Sequence, residues 1–306
     1  MNQVDPFLAG GRWFRGNCHT HTTLSDGDTS AEKIVQLYRA KGYDFLVLTD
    51  HMKAQKNVKT LQRKGFLVIN GIEVHPKPLR NEYCGYHIVG IGVDKSPSEK
   101  WIKSGSASRA IRWIKRQGGI ATYGHPHWLG HDVNDLLKGR ETLGVEVFNN
   151  CTEAMQGLGD SSVHFDQALS AGIRWTAFAV DDTHQIKRDT FGGWIMVKAT
   201  ALTKAAIMQA LRRGSFYATC GPQIRSLGIR GRIARVTCSP VKAIVWHGEG
   251  PSGVIARAGR GLLTKHEFNL KDLSGTTRYL RVEIIDAKGR KAWSNPIFAR
   301  GMVGPE

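Results

Sequence analysis

Between about residues 15 and 214 the chain repeats one unit: a short apolar run, a turn and an amphipathic stretch. Nearly every run ends on a histidine or an acid. Apolar runs of about four to eight residues between turn signals read as strands buried on both faces. Their alternation with helical periods predicts βα units around a mostly parallel sheet. The predicted strands are Asp44–Thr49, Phe66–Glu73, His87–Val93, Gly119–Gly124, Val145–Phe148, Arg174–Val180 and Gly193–Val197. The clearest helix starts at Thr29, where Thr29 and Glu32 form a capping box, and presents Ile34, Leu37 and Tyr38 on one face before Gly42. Further helices are expected over Ala107–Gln117, Asn134–Lys138, Val163–Ser170 and Thr203–Arg213.

From Ser215 the character changes to short β-type runs separated by Gly, Pro and Ser, with no helical period. We therefore expect two parts, an α/β domain over residues 1–214 and a small β-sandwich over 215–306. The second part carries 15 Lys or Arg against 6 Asp or Glu, about half of the whole chain's net +17. That charge favours anionic partners, and it admits nucleic acid without otherwise supporting it. With 41% hydrophobic residues the chain can fill a core, which excludes disorder. No run approaches the roughly 20 apolar residues of a membrane helix, and Met1–Arg15 lacks a leader's apolar stretch, so a cytoplasmic, membrane-free protein is expected. The five cysteines, Cys18, Cys84, Cys151, Cys220 and Cys238, show no paired spacing and read as reduced, buried thiols. The residues leave the oligomeric state open.

Where the histidines and acids fall points to chemistry. His19 and His21 are two apart, so in an extended segment both rings reach one side. Asp26 lies in a Ser-Asp-Gly turn; Asp50 and His51 end one run, Glu73 ends another, and His125 and His127 follow a third as Gly-His-Pro-His. Asp182 and His184 stand just past Arg174–Val180. In a parallel sheet or barrel the C-terminal strand ends converge on one face, where such folds place their active sites. His87 opens its run instead, which predicts an antiparallel strand there. Gathering so many ionisable groups is costly unless cations compensate them. Imidazole and carboxylate donors without thiolates suit Zn²⁺, Mn²⁺ or Fe²⁺ in a multinuclear catalytic centre.

In this order, H-T-H-T-x-x-S-D-G (His19–Gly27), T-D-H (Thr49–His51), G-I-E (Gly71–Glu73), G-H-P-H (Gly124–His127) and D-x-H (Asp182–His184) resemble the motifs of the polymerase and histidinol phosphatase (PHP) family of metal-dependent hydrolases. The resemblance covers about residues 15–214 and implies a distorted (β/α)7 barrel with two or three divalent ions at the C-terminal strand ends. Gly124–His127, Gly144–Asn149 and the tail ending A-W-S-N-P-I-F look most like the branch that includes carbaryl-hydrolase-type enzymes. Carried over by position, the resemblance implies a first metal on His19, His21, Glu73 and Asp182. Glu73 would bridge to a second on His87 and His125, and Asp26, His51 and His184 would hold a third.

With Glu73 and Asp182, His127 completes the expected catalytic set, binding substrate or protonating a leaving group. The expected activity is a phosphoesterase acting on a small phosphorylated or nucleotide-like substrate through a metal-bridging hydroxide. Hydrolysis of a carbamate, amide or ester at the same centre is the alternative, and nucleic-acid binding or nuclease action comes third. Lys53 and Arg188 near the rim are candidate cations for a phosphate, and Asn149 and Asn150 are candidates for orienting substrate. His75, His131, His164, His247 and His266 read as solvated or locally hydrogen-bonded.

Overall fold

The computed structural model describes residues 7–76, 85–98, 105–273 and 277–298. Cys84 lies outside them, and the other four cysteines are free and buried. The N-terminal strands are β1 (Arg12–Asn17), β2 (Phe45–Leu48), β3 (Leu67–Val74), β4 (Ile88–Ile91), β5 (Ile120–Tyr123), β6 (Gly144–Asn149), β7 (Thr176–Val180), β8 (Trp194–Ala199) and β9 (Phe216–Thr219). Between them run α1 (Ala31–Ala40), α2 (Val58–Leu61), α3 (Ala107–Arg116), α4 (Val133–Lys138), α5 (Asn150–Gln156), α6 (Ser162–Ser170), α7 (Ile186–Asp189) and α8 (Lys204–Arg212). The mixed α/β class expected from the alternation holds, with element ends shifted by a residue or two.

Each apolar run becomes a strand because both of its faces are covered. Phe45, Leu46, Val47 and Leu48 of β2 are fully buried between β1 and β3, both parallel to it. Ile34, Val35 and Tyr38 of α1 pack with Leu46, Leu48 and Val68. The cap of α1 differs from expectation. Ser30 accepts from the Lys33 amide, while the Thr29 hydroxyl turns to Asp28. Because Ser30 is the cap and the helix starts at Ala31, the third helical position is Lys33, and Glu32 stands one position too early to close a box onto Ser30. The helix stops at Ala40 with Lys41 as its cap, and Gly42 just beyond, with φ of +77°, supplies the left-handed turn.

Strand direction places the site. β1, β2 and β3 are mutually parallel, as are β5, β6 and β7, and β4 is antiparallel to both β3 and β5. All six parallel strands therefore point one way, and the start of β4 shares an edge with their ends. This accounts for His87, which precedes β4 rather than following it. The sheet also curls. Past the ends of β1 and β7 a parallel bridge joins Thr20 to Thr183, with His21 N donating to Thr183 O at 2.9 Å and Asp182 N to His19 O at 2.9 Å. A Cβ on Gly71 would stand 2.7 Å from the Gly90 carbonyl oxygen, so glycine lets β3 and β4 close up where Glu73 is delivered.

The C-terminal strands are β10 (Ile224–Arg230), β11 (Ile233–Val241), β12 (Ala243–His247), β13 (Gly253–Arg257), β14 (Leu263–Asn269), β15 (Tyr279–Ile285), β16 (Lys291–Ser294) and β17 (Ile297–Phe298). They do not form an isolated sheet. A 14-stranded sheet runs β13-β12-β15-β16-β9-β8-β1-β2-β3-β4-β5-β6-β7, with β17 as its fourteenth strand paired to β15 off this path, and β10-β11-β14 forms a separate three-stranded sheet. Leu227 and Val236 of that second sheet share a core with Trp246, Val282 and Ile284 of the first. Asn295 ties the two parts together, accepting from Ala177 N at 2.8 Å and donating to Gly214 O and Phe216 O. Arg281, fully buried, forks onto Asp166 of α6, and Lys291 reaches Asp160 at 2.7 Å and Glu283 at 3.2 Å. Among the described residues no helix is long and apolar enough to cross a membrane.

Candidate metal centre

The residues after β1 turn His19 and His21 inward, with both rings fully buried. Their Nε2 atoms are 3.1 Å apart. Each faces Asp182 Oδ1, at 3.1 and 3.0 Å, and Glu73 Oε2, at 3.4 Å in both cases. Four donors around one tetrahedral ion, each about 2.0–2.1 Å from it, stand roughly 3.3 Å from one another. The separations observed fit that figure. Glu73 Oε1 faces the other way, 2.6 Å from His87 Nδ1 and 3.5 Å from His125 Nε2. Asp26, more exposed, gathers an outer group: His51 Nε2 at 3.2 Å, His184 Nε2 at 3.5 Å and His21 Nδ1 at 3.7 Å.

Buried Glu73 Oε2 and Asp182 Oδ1 have no hydrogen-bond partner. A buried carboxylate oxygen without a donor is expensive, and a cation at the point where these atoms converge removes the cost. The histidines are oriented for the same purpose. His19 Nδ1 bonds Glu146 Oε1 at 2.7 Å, and His184 Nδ1 donates to the Asp182 carbonyl at 2.9 Å, so both rings turn Nε2 to the cluster. Burial, reinforced by the neighbouring His19, depresses His21 to about 4, and burial depresses His87 to about 3. Both rings are thus neutral, the form that donates a lone pair. Burial opposes charge on His51 as well, but Glu73 and Asp26 on either side outweigh it and push that ring up to about 10. Burial likewise works against the Glu73 carboxylate, yet the surrounding histidines hold it well below the usual range.

The backbone is bent to deliver two of these groups. Asp182 has φ +54° and His125 φ +20°, values uncommon for residues with a side chain. Both follow the last residues of parallel strands, where the chain must leave the sheet while its side chain stays at the rim.

The sequence profile of the PHP domain matches residues 17–188, more than half of the chain. The chain belongs to the PHP domain family. A PHP-domain chain carrying this ligand pattern is a hydrolase. No curated protein matches it. Among solved structures it is similar to a two-domain protein from Bacteroides vulgatus ATCC 8482 containing a predicted PHP-like metal-dependent phosphoesterase, at 16% identity and TM-score 0.57, covering 94% of each chain. It also matches an amidohydrolase from Chromobacterium violaceum, at 17% identity and TM-score 0.43, over 57% of this chain and 89% of that one. The first likeness spans the PHP domain and the C-terminal strands together, so the fold is shared over both.

Within the PHP domain, all nine residues expected as ligands fall into the three groups just described. His127 does not join them. Residues 126–129 form a turn, with Leu129 N reaching His125 O, so the alternation expected of an extended segment is broken after Pro126. His127 Nδ1 instead donates to the Asp160 carbonyl at 2.9 Å. Arg188 is held by Asp189, and Lys53 Nζ donates to the Leu24 carbonyl at 3.0 Å. Asn149 caps α5 and also donates to Glu146 Oε2 and Asp182 Oδ2, whereas Asn150 donates to the Asp189 carbonyl.

Two residues of the centre escape sequence reasoning. Glu146, buried inside β6, orients His19 and accepts from His125 N at 3.0 Å. An acid in the middle of the apolar run V-E-V-F was the available signal. His75 lies two residues past Glu73, the same spacing that singled out His19 and His21, and its Nε2 is 3.3 Å from Glu73 Oε2. If Glu146 holds His19 in its ligating orientation, Glu146→Gln weakens metal affinity about 10–100-fold with the fold intact. Competition against a chromophoric chelator measures this, and unchanged affinity removes Glu146 from the centre.

Proposed function

We propose that this chain is a metal-dependent phosphoesterase acting on a small phosphorylated substrate. The observation behind the proposal is the pair of unpartnered buried oxygens on Glu73 and Asp182, set among histidines whose far nitrogens are anchored. In this proposal His19, His21, Glu73 and Asp182 hold a first ion, Glu73, His87 and His125 a second, and Asp26, His51 and His184 a third. Mixed nitrogen and oxygen donors suit Zn²⁺, Mn²⁺ or Fe²⁺. We read strands β1–β7 as the family's distorted seven-stranded barrel and the two C-terminal layers as a β-sandwich, and the bridge between residues 20 and 183 supports the first reading.

Bound divalent ions supply a nucleophile at neutral pH and neutralise charge developing on substrate oxygens. The protein's own groups do the rest. Glu146 and the Asp182 carbonyl keep the imidazoles in register, and Asn149 steadies both carboxylates. Asp26 and His75 stand at the open rim, where a substrate enters. His127, with Nδ1 committed to a carbonyl that can only accept, has Nε2 left for proton exchange with a leaving group. Nucleic acid is left out of the proposal, because Phe216, Tyr217, Trp246, Tyr279 and Trp293, the rings that would stack bases, lie inside cores.

Segments Gly124–His127, Gly144–Asn149 and Ala292–Phe298 still resemble the carbamate-hydrolysing branch, so carbamate cleavage is the second candidate. Protein loaded with Mn²⁺ or Zn²⁺ is offered an aryl phosphomonoester, an aryl phosphodiester and an aryl carbamate, with and without chelator. Chelator-sensitive release from a phosphate ester is expected. Release from the carbamate alone would replace the proposal with the second candidate.

A further inference from the structure

His75 has no role in the ligand pattern above, yet its surroundings are unlike those of a solvated histidine. Its ring stacks on His87 at 3.9 Å between centroids and 17° between planes. Its Nε2 is buried and lacks a hydrogen-bond partner, although Glu73 Oε2 is 3.3 Å away. His51 repeats the pattern. Its Nδ1 is 2.8 Å from the same Glu73 oxygen, yet it too is buried without a hydrogen bond. Three unpartnered donor atoms, His51 Nδ1, Glu73 Oε2 and His75 Nε2, thus lie within 4.8 Å of one another.

The opposite nitrogen of His51, Nε2, faces Asp26 at 3.2 Å in the outer group. The two ring nitrogens of His51 point to different clusters, Nε2 to Asp26 and Nδ1 to Glu73, so the ring has an atom in place for either side. We propose that the outer ion has two alternative positions, one on His51 Nε2, Asp26 and His184, the other on His51 Nδ1, Glu73 and His75. Because one nitrogen of His51 already faces each cluster, exchange between the two positions needs no movement of the backbone. The second position would share Glu73 Oε2 with the group around His19 and His21. Asp26 and His75 are both partly exposed at the mouth, which gives the ion an exchange route with solvent along this edge.

This inference rests on the metal centre of the proposed function, and the test separates the two. Apo protein, prepared with chelator, is dialysed against Zn²⁺ or Mn²⁺ and its bound equivalents are counted by elemental analysis. The variants are Asp26→Ala, His75→Phe and the double variant. Phenylalanine keeps the stack on His87 and removes the nitrogens, and thermal melts report folding. His266→Ala, remote on β14, controls for adventitious binding to histidine. The expected result is that Asp26→Ala retains the outer equivalent and the double variant loses it, holding one equivalent fewer. In zinc-soaked crystals of Asp26→Ala, anomalous density is expected between His51, Glu73 and His75. Equal metal content in Asp26→Ala and the double variant, or density that stays beside His184, overturns the two-position arrangement. A wild-type chain that binds no divalent ion overturns the proposed function itself.

Discussion

Glu73→Gln is expected to abolish turnover and strip metal from the centre. The wild-type carboxylate shows one oxygen to His19, His21 and His51 and the other to His87 and His125. Glutamine keeps the shape but carries no charge, and it must turn its NH₂ group toward one of the two sets. Two ion positions are therefore damaged by one substitution. Loss of an outer partner of a ligand typically costs about 10–100-fold, so loss of a shared ligand should exceed about 100-fold in turnover. Elemental analysis and turnover on the same preparation check this, with circular dichroism to show the fold. A Glu73→Gln protein that is active with full metal would remove Glu73 from the bridging role.

Arg281→Met is expected to destabilise the chain by about 3 kcal/mol while leaving the metal content unchanged. The guanidinium is fully buried, forked onto Asp166 and 3.5 Å from Glu283. Methionine fills much of the volume but leaves the carboxylates facing a thioether. Asp166 is about one third exposed, so water offsets part of the loss and the effect belongs at the low end for a broken buried pair. Lys291, still beside Glu283 and Asp160, limits it further. The midpoint of urea unfolding measures the change, and an unshifted midpoint would mean that these charges contribute nothing net.

The positions proposed as ligands were legible because the strands bearing them are covered on both faces. Full coverage makes each strand a plain apolar run, and a histidine or acid at its end then stands out. His87 fitted only once the direction of β4 was considered, and its antiparallel pairing on both sides supplies the reason. Glu146 was not legible for the opposite reason. An acid inside V-E-V-F reads as the wet side of a half-buried strand unless the sheet curls and turns that side inward. His127 does not turn to the same side as His125, because Pro126 begins a turn where the two-residue spacing suggested an extended chain. The helix cap at Ser30 instead of Thr29 reflects a one-residue shift that hydroxyl-bearing neighbours do not resolve from sequence. The continuity of the long sheet across residue 214 was the least legible feature. It depends on β8 and β9 pairing with each other and on β16 returning from far along the chain to β9.

That continuity bears on aggregation. An open sheet ends in a strand whose amides and carbonyls on one side have no partner, and such an edge templates pairing with other molecules. Stopping the chain at α8 would leave β8 with its outer edge bare, displaying Trp194, Met196 and Lys198 on a six-residue strand whose other edge is held by β1. In the full chain β9 covers that edge, β16 covers β9, and the succession ends at β13, a five-residue strand whose residues alternate between partly and fully exposed, with Arg257 as its last. The C-terminal strands thus act as a guard on the PHP domain, moving the margin of its sheet from β8 to a short strand that ends on Arg257.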